Sequence, residues 1–173
     1  TSTSWETTGD LQVGASGQSG SLTVSGNSTI NTGRVRVGGY AEDDDPANAH
    51  GTLTMSGSST LTTAPGGGYD LWFGNGIGST ATVNMSGTSR VTVNSSMTSG
   101  RNGGHATVDL AEDSMFEVSS YGNIGEDGTA NWTVRDNATF TLGGNLTFRG
   151  TDSQLTVKDS AVVSIGGEFQ IGN

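Results

Sequence analysis

The segments Arg34-Val35-Arg36-Val37 and Asp70-Leu71-Trp72-Phe73 carry the side chains best suited to hold a sugar. An indole turned to water offers a flat apolar surface to a sugar ring, and a nearby guanidinium and carboxylate supply hydrogen bonds to its hydroxyls. In an extended segment alternate residues share a face, so Trp72 sides with Asp70, and Arg36 with Arg34. Tyr121 falls on the same face further along the chain. Trp72, Asp70, Arg36, Arg34 and Tyr121 are therefore the candidate glycan-binding residues. The same set suits a purely structural ladder, with Arg34 between Asp10 and Asp70 and Arg36 stacked on Trp72.

A second chemistry lies in Glu42-Asp43-Asp44-Asp45. Clustered carboxylates on a loop are hard oxygen ligands and suit calcium. The run lacks the ligand spacing of a helix–loop–helix calcium site, and a solvated acidic loop is the plainer alternative. His50 and His105 occupy one corner of the repeat two coils apart, roughly 10 Å by strand spacing, too far to share one metal. No Ser, His and Asp line up across neighbouring coils, so no catalytic residue is assigned.

Composition narrows the partners. Seven Lys and Arg stand against 17 Asp and Glu, a net charge of −10. Nucleic-acid binding needs basic residues to neutralise phosphates, so it is disfavoured, as is an anionic lipid surface. No apolar run reaches the ~18 residues of a membrane helix. There is no Cys, hence no disulfide framework. Only 31% of residues are hydrophobic and 29 are Gly.

Those few apolar residues recur in a fixed phrase, first seen as Gly20–Gly38, GSLTVSGNSTINTGRVRVG. Leu22, Leu53, Val83, Val108, Trp132 and Leu155 hold one place in successive phrases, separated by 31, 30, 25, 24 and 23 residues. Each phrase contains three alternating segments, the mark of strands with one buried face. The second segment is centred on Ile30, Leu61, Val91, Phe116, Phe140 and Val163. The third runs through Val35, Leu71, Met97, Gly122, Leu146 and Phe169. No inward position is charged.

Three strands recurring in one order bury their apolar faces by coiling, each strand pairing in parallel with its equivalent one turn on. The expected fold is all-β, a right-handed parallel β-helix (β-solenoid) of three short strands per coil and six to seven coils, with residues 1–173 forming one domain. A column of Ser28, Ser59, Ser89, Ser114, Ala138 and Ala161 marks a tight inward corner. The third strand around Met97 has the fewest apolar residues and is expected to be the weakest rung. Trp5 is placed to cover the first coil. Ends without polar caps imply a fragment of a longer protein and end-to-end self-association.

The phrases GSLTVSGNSTI, GTLTMSGSSTL and ATVNMSGTSRV, each followed by a strand ending in Val-Gly or Phe-Gly, resemble the repeats of type V secretion (autotransporter) passengers and of PEP-CTERM-associated exported proteins. Asn131–Gly150 and Gln154–Gly172 depart from them, with RDN and KDS in place of the SG turn. The resemblance implies a β-helical bacterial protein displayed outside the cell and brings no catalytic motif. The function it favours is a non-enzymatic stalk or adhesive surface. A carbohydrate-binding module, with polysaccharide or cell-surface glycan as partner, is the alternative, and a polysaccharide lyase or hydrolase fragment the third reading.

Overall fold

The computed structural model describes residues 2–15, 17–39, 48–65, 69–150 and 152–172. The chain enters through β1 (Ser4–Glu6) and β2 (Asp10–Val13). The first full coil is β3 (Ser19–Val24), β4 (Thr29–Thr32) and β5 (Arg34–Val37), and the second is β6 (His50–Met55), β7 (Thr60–Thr63) and β8 (Tyr69–Asn75). Next come β9 (Thr80–Met85), β10 (Arg90–Val93) and β11 (Ser96–Arg101), then β12 (His105–Leu110), β13 (Met115–Val118) and β14 (Gly122–Ile124). The last coils are β15 (Thr129–Val134), β16 (Thr139–Leu142) and β17 (Leu146–Phe148), then β18 (Gln154–Val157), β19 (Val162–Ile165) and β20 (Phe169–Ile171).

Every third strand pairs in parallel, giving three sheets: β3-β6-β9-β12-β15-β18, β1-β4-β7-β10-β13-β16-β19 and β2-β5-β8-β11-β14-β17-β20. The protein is a right-handed parallel β-helix. Seven rungs at ~4.8 Å make a rod ~30 Å long. The register follows the sequence columns: Leu22 pairs with Leu53, Leu53 with Val83, Val83 with Val108, Val108 with Trp132 and Trp132 with Leu155. Trp5 stands one rung before Ile30 in the second sheet. It lies over the first coil as expected but stays 45% exposed.

The core runs the length of the rod and is aromatic in its later half. Trp132 stacks on Phe140 with centroids 4.8 Å apart and meets Phe116 edge-on at 5.3 Å. Its indole N–H donates to Ser99 Oγ at 3.1 Å. This contact corrects the expectation of a weak rung at Met97. Ser96, Met97, Thr98 and Ser99 are all almost fully buried, and Ser99 satisfies a donor that the core would otherwise leave orphaned.

The corner column is also buried: Ser59, Ser89, Ser114 and Ala138 expose nothing. The hydroxyls of Ser59, Ser89 and Ser114 have no hydrogen-bond partner among the described residues. Ser89→Ala should therefore leave stability unchanged or raise it by up to about 1 kcal/mol, since it removes a buried unpaired hydroxyl. Thermal unfolding of the variant checks this; a loss of that size instead would mean the hydroxyl is satisfied.

The turn before this corner explains the departure from SG to RDN and KDS. Gly26, Gly57 and Gly87 have φ of 67°, and Glu112, Asp136 and Asp159 keep the same left-handed backbone at 57°, 59° and 58°. The strain of a side chain there is offset by a hydrogen bond. Glu112 accepts the Gly87 amide at 2.6 Å, Asp136 the Glu112 amide at 3.0 Å and Asp159 the Asp136 amide at 3.3 Å. Arg135 clasps Asp109 through two bonds of 2.9–3.0 Å and reaches Asp136 at 3.0 Å. Those hydrogen bonds to Asp109, with its negative charge, hold the guanidinium above its ordinary pKa. Asp136→Ala keeps the strain and loses the bonds, and should cost about 2 kcal/mol; Asp136→Gly relieves the backbone and should cost less. Urea unfolding that ranks them the other way would contradict this.

Candidate functional site

The candidate glycan face lies on the outer side of the third sheet. Asp10 is the register partner of Arg34, and Arg36 is the partner of Trp72, which in turn faces Thr98 and then Asn123. The structure brings Arg36 and Trp72 together, with the guanidinium carbon 4.7 Å from the indole centroid. It also corrects two expectations. Trp72 does not point at water: it is 8% exposed, and Asp70 beside it is 1% exposed. The cation bound to Asp10 is Arg36, at 2.9 Å, and not Arg34, which stays exposed at the sheet surface.

The reason is that this sheet is buried on both faces over its middle rungs, as parallel sheets commonly are. Arg36, Trp72, Thr98 and Asn123 each expose 8% or less, although all four lie opposite the core. Glu126 helps to close the face. Its carboxylate accepts a 2.9 Å bond from Thr98 Oγ1 and lies 3.8 Å from Arg101 and 3.6 Å from Arg149, tying three successive coils. Tyr121 precedes β14 at 40% exposure, two strands beyond β8 and two residues nearer the strand start than the row of Trp72. It is not brought against the indole. The five residues thus split into a packed pair, Arg36 and Trp72, a buried Asp70 in the same strand as Trp72, and two exposed residues, Arg34 and Tyr121.

His50 and His105 do occupy one corner column, with Thr80 between them in register. His50 Nδ1 lies 2.8 Å from Thr80 Oγ1. Among the described residues no group of three or more His, Asp or Glu could hold a metal ion. Glu42, Asp43, Asp44 and Asp45 lie outside the described residues. No helix among the described residues is long and apolar enough to cross a membrane.

An open concavity lies elsewhere, on the flank of the second sheet near the start of the rod. A groove of about 600 Å³ is lined by Glu6, Asn31, Thr62, Ala64, Pro65 and Asn94, among others. Glu6, Asn31 and Thr62 form one outward column by register. The other coils pass from second to third strand through one to three residues, whereas β7 continues into Ala64-Pro65 and β8 starts only at Tyr69. Ala64 and Pro65 make one wall of the groove. The alternation of the second segments marks these outward positions, but nothing in their residue types distinguishes them from any solvated face.

Compared with known protein families, with curated proteins and with solved structures, the chain matches none.

Proposed function

We propose that this chain is a non-enzymatic stalk or adhesive-surface segment of an exported bacterial protein, acting outside the cell by presentation. The observation that carries this reading is the continuity of the three ladders. Their hydrogen bonds run along the rod axis and link every coil to the next. A load along that axis is shared by three sheets at once, and each coil is held chiefly by its neighbours. The resemblance of the SG-turn phrases to autotransporter and PEP-CTERM-associated repeats supports export.

Pulling the two ends apart in an optical trap tests it. The expected record is stepwise lengthening, one coil of roughly 23 to 31 residues at a time, each step below ~3.6 Å per residue. A single collapse of the whole chain at low force would remove the mechanical basis of the reading. Calcium belongs in the same experiment: if Glu42–Asp45 binds it, the steps nearest that loop should need more force with the ion present. The carbohydrate-binding reading loses support at Trp72, because a buried indole cannot stack on a sugar. The lyase or hydrolase reading predicts release of reducing or unsaturated ends from polysaccharide, and the stalk reading predicts none.

A further inference from the structure

We propose that the groove beside β1, β4 and β7 binds a neutral saccharide. Its walls and floor are fixed before any ligand arrives. Thr7 N–H donates to the Asn31 carbonyl at 2.9 Å and Ala64 N–H to the Thr32 carbonyl at 2.6 Å. The Asn94 amide N–H donates to Thr63 Oγ1 at 3.0 Å, and its side-chain nitrogen to the Thr63 carbonyl. Asn31 Nδ2 donates to Glu6 Oε1 at 3.1 Å. Sites held this way lose little freedom on binding.

Those bonds leave a defined set of groups for a ligand. Among the described residues, nothing donates a hydrogen bond to Glu6 Oε2, Asn31 Oδ1 or Asn94 Oδ1, and the Thr62 hydroxyl makes none. Three of the four are acceptors only, so the ligand must donate, and sugar hydroxyls do. Glu6, Asn31 and Thr62 recur at one rung, ~4.8 Å, close to the width of one sugar ring. Ala64 and Pro65 add an apolar wall for the ring's C–H face. The Glu6 charge, on a chain of net charge −10, disfavours acidic glycans. Among the described residues no aromatic side chain lines the groove, so affinity is modest.

The test is an amide-resolved NMR titration of the 173-residue chain with neutral hexasaccharides (a glucan, a mannan and a galactan) and with an oligogalacturonate. The expected result is saturable shifts at the Asn31, Thr62 and Asn94 amides with at least one neutral sugar and none with the uronate. Asn31→Ala and Thr62→Val should each weaken that binding roughly fivefold, with circular dichroism unchanged. Glu6→Gln should narrow the gap between neutral and acidic sugars. The proposal is overturned if no neutral sugar shifts the lining amides, if the shifts fall elsewhere, or if both variants bind as the parent does. It stands apart from the stalk reading: a rod that lengthens coil by coil yet ignores sugars keeps that reading and loses this one.

Discussion

Trp132→Ala should lower the free energy of unfolding by about 3–5 kcal/mol, the largest loss expected of any one side chain here. The indole is 1% exposed and touches three aromatic rings, Phe73, Phe116 and Phe140, drawn from three different coils. Removing it opens a cavity that a core fixed by three ladders relaxes into only partly. Trp132→Phe fills most of the space but leaves Ser99 without its indole donor, and should cost about 1–2 kcal/mol. Urea unfolding monitored by circular dichroism measures both. Equal, small losses would mean that the coils near Trp132 are not packed around it.

Arg36→Ala should cost about 2–3 kcal/mol, and Trp72→Ala about 3 kcal/mol. The Arg36 side chain is 7% exposed and its partner Asp10 30%, so the pair is partly screened and falls below the range for a fully buried one. Losing the guanidinium uncovers one face of Trp72 and leaves Asp10 unpaired. Arg36→Lys keeps the charge without the planar group and should fall between Arg36→Ala and the parent. The double variant should lose less than the sum, since the two side chains share one contact. Thermal melts together with glycan-binding assays separate this from a sugar site on the same face. A sugar site predicts weaker binding with stability intact, and the packed Arg36–Trp72 pair predicts the reverse.

The inward half of the fold was legible because a strand's alternation fixes which residues share a face. Leu22 through Leu155 and Ile30 through Val163 could be laid in columns without knowing the third dimension, and the rungs pair in that register. Alternation does not say what covers the other face. Thr98 and Asn123 have the residue types of a solvated surface, yet their row is buried: Arg36 stacks on Trp72 from the rung before, and Glu126 folds back onto Thr98. Ser99 reads as a gap in the core until the coils stack and bring it under Trp132, 33 residues later. The positive-φ turns were half legible. Gly predicts a left-handed backbone, but Glu112 and Asp136 hold it through amides of the preceding coil, a contact that no local pattern encodes.

Residue-resolved amide hydrogen exchange tests most directly that the rod is sealed through its middle coils, including the outer face of the third sheet. Slowest exchange is expected in β11 and β15, where Ser96–Ser99 and Trp132 are buried. Fastest exchange among the strands is expected in β20, where Phe169 is 50% and Ile171 76% exposed. Ser96–Ser99 exchanging as fast as Phe169–Ile171 would contradict the account, because the two serines and Thr98 between them would then be facing water rather than holding the rung closed.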